Sequence, residues 1–151
     1  MEKWEKKVNL PVGIKGDELN DKLKNVHNYI GIINITDLET MTFNDLPVTF
    51  VILYENHWIA IYLDRKNLEI MDSTHTLLET MPTAFINFIF NNQHKSIRVN
   101  PILQTNRTNV CGLYCIYFII SKNKNINFST IVSTFTDDLR LNDYIVGKLT
   151  G

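Results

Sequence analysis

Val48-Thr-Phe-Val-Ile-Leu-Tyr-Glu-Asn-His-Trp-Ile-Ala-Ile-Tyr-Leu-Asp-Arg-Lys-Asn-Leu-Glu-Ile-Met71 is the stretch that decides the fold. It holds three runs rich in β-branched and aromatic residues, 48–54, 58–63 and 68–71, and two polar breaks. Such runs read as strands, and Asp64-Arg65-Lys66-Asn67 reads as the turn between the second and third. The runs are continuously apolar rather than alternating. That predicts a sheet covered on both faces.

The covering elements lie on either side in the sequence. Residues 16–27 fit a helix capped by Asp17, with Leu19, Leu23 and Val26 on one face. Residues 29–35, around Gly31, read as a short strand or the turn beside one. After the sheet, 82–91 fits a helix with Pro82 in its first turn and Phe85, Phe88 and Ile89 facing inward. Residues 96–103 return to strand, with Pro101 favouring an edge or a strand end. A polar loop, 104–110, leads into an apolar helix over 111–121, and two short helices follow near 129–136 and 138–148. The expected class is α+β: a central sheet flanked by helices, in one domain spanning 1–151.

Composition narrows the function classes. The formal net charge of −1 argues against nucleic-acid binding through overall charge. Two cysteines, Cys111 and Cys115, are too few for a disulfide framework, which points to a reducing compartment. The charged start, Met1 to Lys7, lacks the apolar stretch of a secretory signal, and no apolar run is long enough to cross a bilayer. The scattered His27, His57, His75 and His94 do not form a zinc pattern with two cysteines, so no metal is expected. Asn and Ile together are about a quarter of the chain, a bias that suits an AT-rich genome.

Four residues carry potential chemistry. Cys111 stands where the loop meets the buried helix, directly before Gly112. A helix N-terminus favours the thiolate, and the N–H groups of Cys111 and Gly112 can form part of an oxyanion hole. The alternative is an inert core cysteine. His57 precedes the second strand and is a candidate base, or else a histidine with an ordinary hydrogen bond. Asp72 follows the third strand and can orient that imidazole, or simply open a turn with Ser73 and Thr74. Asp64 lies too far along the strand to serve, and Glu69 points to the opposite face. Gln104 can donate a side-chain N–H to an oxyanion, or be one polar loop residue among several. Trp58 can line a cleft beside His57, or pack in the core. Cys115 shares a helix face with Cys111 and reads as core.

The order His57-Trp58, Asp72, Gln104, Cys111-Gly112 resembles that of the adenovirus protease (adenain) family and its relatives, the proteases of ubiquitin-like proteins. Gln104-Thr-Asn-Arg-Thr-Asn-Val-Cys111-Gly-Leu-Tyr-Cys115 is similar to adenain's block from oxyanion glutamine to nucleophile, with the same seven-residue step. His57-Trp58-Ile59-Ala60 and, more distantly, Tyr29-Ile30-Gly31 also resemble adenain segments, which makes Gly31 a second candidate for lining the cleft.

The resemblance implies a mixed sheet with the nucleophile opening a buried helix. It implies a cysteine endopeptidase in which Cys111 attacks, His57 moves the proton, Asp72 orients it, and Gln104 with the Cys111 N–H holds the oxyanion. It further implies cleavage of viral capsid precursors during maturation, in a virion or host cytoplasm. Virophages and Maverick/Polinton elements encode such enzymes, and their base composition suits this chain. Asp72 stands where adenain has Glu, and the chain is shorter than adenain. There is no third cysteine to hold adenain's disulfide-linked peptide and no basic surplus, so neither that cofactor nor DNA activation is expected. Three other functions fit the same residues: a protease of ubiquitin-like modifiers, an acetyltransferase, and a binding protein without activity.

Overall fold

The computed structural model describes residues 13–151. The charged start, Met1 to Lys7, lies outside them.

The three central runs form the middle of a five-stranded mixed sheet. β1 (Tyr29–Asn34), β2 (Val48–Tyr54), β3 (His57–Leu63), β4 (Asn67–Met71) and β5 (Ser96–Val99) lie side by side in chain order. β2, β3 and β4 pair antiparallel, and β1 and β5 are added in parallel at the two edges. The β2–β3 hairpin turns at Glu55-Asn56, both with positive φ (46° and 63°). That geometry matches the right-handed twist of the strands it joins. Between β3 and β4 the Asp64 carboxylate accepts the backbone N–H of Lys66 at 2.8 Å and of Asn67 at 2.6 Å. A short polar side chain thereby stands in for a backbone turn.

The sheet is covered on both faces, as its continuous apolar runs predict. In β3 and β4, Ala60 and Met71 join the core under the long helix α4 (Cys111–Asn123). Ile59, Ile61, Leu68 and Ile70 join a second core with Phe85 and Phe88 of α3 (Thr83–Asn91). α1 (Gly16–Leu23), α5 (Phe128–Ser133) and α6 (Leu139–Thr150) complete the α4 side. The class is α+β. Among the described residues no helix is long and apolar enough to cross a membrane.

The expected elements are present with shifted ends. The N-cap position of α1 falls on Lys15, which makes no side-chain cap, and not on Asp17, whose carboxylate accepts the N–H of Glu18 at 3.0 Å. The helix stops at Leu23, and Val26 still packs on the core from the turn that follows. Two short helices go beyond the sequence-based reading: a 3-10 helix at Ile35–Thr40 and α2 at Thr76–Thr80. β5 ends at Val99 rather than 103. Beyond it the chain crosses to β4, where the Leu103 and Gln104 N–H groups donate to the Ser73 carbonyl at 2.9 and 3.0 Å. Two backbone bonds to Ser73 replace the sheet ladder, and they carry Gln104 to the end of the sheet where Asp72 emerges.

Candidate active site

Three chain segments meet at one end of the sheet. His57 is the first residue of β3 and forms the last pair of the hairpin with Tyr54. Asp72 directly follows β4, whose last pair is Ala60 with Met71. β4 therefore stops short of Trp58, and α4 fills the gap. The Cys115 thiol donates to the Trp58 carbonyl at 3.3 Å, and the Trp58 N–H reaches the Cys111 sulfur. The first turns of α4 are thus tied to the strand that starts with His57.

Cys111 opens α4 and is 6% exposed. Burial pushes its thiol above the ordinary 9.0. The N–H groups of Trp58, Gly112 and Cys111 itself oppose that shift. The sequence-based expectation of a thiol acidified by the helix start is not met. The thiol is nearly enclosed, and loss of hydration outweighs three peptide dipoles. A thiol of this kind needs a base to take its proton rather than a standing ion pair.

Asp72 is 1% exposed, and burial raises its carboxyl above 3.8. The Leu78 N–H, His75, the Leu77 N–H and His57 pull it back down. One carboxylate oxygen accepts the Leu78 N–H at 3.0 Å. Asp72 therefore anchors the α2 turn and also lies within the electrostatic reach of His57. The turn reading and the orienting reading are compatible.

Asn100, which sequence reasoning did not single out, clamps this corner. Its side chain accepts the Asp72 N–H at 2.7 Å and donates to the Asp72 carbonyl at 3.0 Å and the Pro101 carbonyl at 2.6 Å. His75, in left-handed backbone at φ 62°, places its Nε2 2.5 Å from the Asn100 carbonyl oxygen. One asparagine in the run 96–103 gives no signal in a single sequence, because its role comes from a partner 28 positions away.

Gln104 is buried beneath the loop. It accepts the Ser73 hydroxyl at 2.6 Å, and its amide donates to the Thr108 hydroxyl at 2.9 Å and carbonyl at 3.2 Å. Its donors face the loop before Cys111, and Gln104 is not among the residues lining the cleft. α6 holds the same loop. The Asp143 carboxylate accepts the Tyr114 hydroxyl at 2.7 Å and bonds the Thr108 side chain, and the Asn142 amide donates to the Leu103 carbonyl at 3.1 Å. Burial raises the Asp143 carboxyl against those bonds and the nearby Arg140 charge. Neither α6 residue was anticipated.

The cleft itself has a volume of about 840 Å³ and is lined by Cys111, Gly112, His57 and Trp58, together with residues 13–15 and 106–109. Gly13 lies so close to this loop that a Cβ would sit 2.3 Å from the Asn109 carbonyl oxygen. Ile14 rests on Gly112, with its Cγ1 3.1 Å from where a Cβ would be. The Trp58 ring lies against Gly16. Gly31 is not a lining residue. It takes φ +115° at the bulge between Tyr29 and Ile32, where an edge strand needs a residue tolerant of left-handed backbone. Among the described residues no three His, Cys, Asp or Glu side chains converge on a metal-sized site.

No family model matches the chain, and no curated protein matches it in sequence. Among solved structures, the SUMO protease Ulp1 with its catalytic cysteine oxidised to a sulfenic acid superposes with a TM-score of 0.49. The identity is 11%, over 91% of this chain and 77% of that one. At that distance the role of each residue rests on the geometry of the cleft.

Proposed function

We propose that the protein is a cysteine endopeptidase with Cys111 as nucleophile. The observation that carries this reading is the meeting of Cys111 and His57 in one cleft, with Asp72 buried behind them. In the reaction His57 takes the proton from the Cys111 sulfur as the thiolate attacks the scissile carbonyl carbon. The N–H groups of Cys111 and Gly112, already turned toward that sulfur, stabilise the oxyanion. The intermediate collapses to a thioester, and the leaving amine takes the proton from His57. A water then gives its proton to His57 and attacks the thioester, which releases the acid and restores the thiol. Asp72 holds the imidazole in position and stabilises its charged form. Gln104 adds a donor to the oxyanion once its amide leaves Thr108.

The test is labelling by a thiol-directed peptide electrophile. Cys111 reacts, Cys111→Ala does not, and His57→Ala reacts slowly. Labelling confined to Cys115 would sink the assignment.

The finer reading is maturation of viral capsid precursors. It is supported by the resemblance of 104–115 and His57–Ala60 to adenain. The cleft residues serve a protease of ubiquitin-like modifiers equally well. Incubation with a capsid precursor and with modifier conjugates separates the two substrates.

A further inference from the structure

Among the described residues the charge of the cleft is one-sided. Lys15 stands on the wall made by residues 13–15, and Arg107 on the loop before α4. Both are exposed, and no Asp or Glu is among the described residues that line the cleft. Among the described residues neither cation forms an ion pair, whereas Lys24, Arg98 and Lys122 all do. Among the described residues the carboxylates near the cleft stay outside its lining, and Asp17, two residues after Lys15, accepts the Glu18 N–H at 3.0 Å. Glu55 is exposed on the hairpin turn before the lining residue Asn56, Asp72 is buried against the Leu78 N–H, and Asp143 is buried against Tyr114. Two cations with no ion pair among the described residues, in a concave polar space, concentrate anions there.

We propose that this cleft binds acidic peptide segments, with carboxylate side chains on either side of the bond to be cut pairing with Lys15 and Arg107. The bond cleavage rests on the endopeptidase reading; the binding selectivity does not. The guanidinium fork of Arg107 suits a carboxylate bidentately. A nucleic acid fits less well, because its evenly charged backbone calls for a track of cations, and the chain has a net charge of −1.

The full chain tests this without any need for turnover. Cys111 is alkylated with iodoacetamide and read by mass spectrometry in the presence of competitors. These are a hexapeptide of two central glycines flanked by glutamates, its lysine-flanked twin, and an oligothymidylate. The acidic peptide should protect at a concentration at least about tenfold lower than the basic twin. Arg107→Glu and Lys15→Glu should each shrink that ratio, and the double variant should invert it. Iodoacetate and iodoacetamide attack the same thiolate, so their rate ratio at Cys111 reads the local field alone. It should exceed the ratio for a neutral cysteine peptide, fall at high salt, and drop in the double variant. Equal protection by the two peptides, an unchanged ratio in the double variant, or oligothymidylate outcompeting the acidic peptide would overturn the proposal. Selective protection by a peptide that is never cut leaves the binding proposal standing and removes the endopeptidase reading.

Discussion

The two faces of the sheet each carry a buried apolar core and do different work. On the α3 side the buried core is Ile, Leu, Val and Phe alone, from Ile33 through Phe50 to Phe88. On the α4 side comparable residues surround groups that need polar partners. Tyr114 bonds Asp143, the Cys115 thiol bonds the Trp58 carbonyl, and Lys122 meets Glu69 at 2.8 Å while lying 4.4 Å over the Tyr62 ring. The dry face holds the sheet in shape. The face with polar inclusions aims a helix, and the two ends of that helix differ again: Lys122 is locked in a buried pair, while Cys111 opens on a cleft. A buried polar group costs stability unless partnered, so such groups persist where position matters more than burial.

That contrast can be broken from either side. The largest effect should come at the cleft. Cys111→Ala or His57→Ala should lower peptide cleavage by about 10⁴-fold or more with a cooperative melt retained; residual cleavage within tenfold of wild type would end the comparison. On the dry face, Phe85→Ala should cost about 3–5 kcal/mol in denaturant unfolding, with kcat/KM of the remaining folded protein nearly unchanged. At the far end of α4, Lys122→Ala leaves the buried Glu69 with only the longer Arg98 contact at 3.8 Å, and should cost about 3 kcal/mol. Replacing both with Leu and Met should restore most of it; a double variant as unstable as the single would refute a pairing role.

The loop offers a sharper and smaller contrast. Gln104→Ala should lower kcat by about 10²-fold with little change in KM, whereas Thr108→Ala, which removes one resting partner of the amide, should lower it less than tenfold. Equal losses would make Gln104 a brace and not a donor. The smallest effect is in pH. Burial holds the Cys111 thiol protonated beyond the ordinary value of 9.0, so the rate of its alkylation by iodoacetamide should rise with an apparent pKa above 9.0. A midpoint below that value would mean that the peptide N–H groups outweigh desolvation.

Much of this was legible in the sequence. The β-branched runs at 48–54 and 58–63 announce a two-sided sheet because their apolar pattern leaves no face for water. The all-apolar helix after 110 can only be buried. Other features were not legible. α2 is five residues long, begins after His75 in left-handed backbone, and is fixed by the Asp72 carboxylate rather than by a sequence period. Asp17 looked like a cap, yet the helix begins one residue before it, directly after a segment in which Gly13 lies against Asn109 and Ile14 against Gly112.

The sequence by itself determined which residue types can do chemistry here, their order along the chain, and the strand-and-helix alternation that brings His57 and Cys111 to element starts. Periodicity and turn chemistry are local, so one chain carries that information. Only the tertiary structure decided that Gln104 faces Thr108 and Ser73, that Asn100 clamps Asp72, that α6 holds the loop, and that Gly31 serves a bulge instead of the cleft. It also reversed the expected acidity of Cys111. Hydrogen-bond partners and desolvation are set by groups tens of residues apart, and no local pattern encodes which of them will meet.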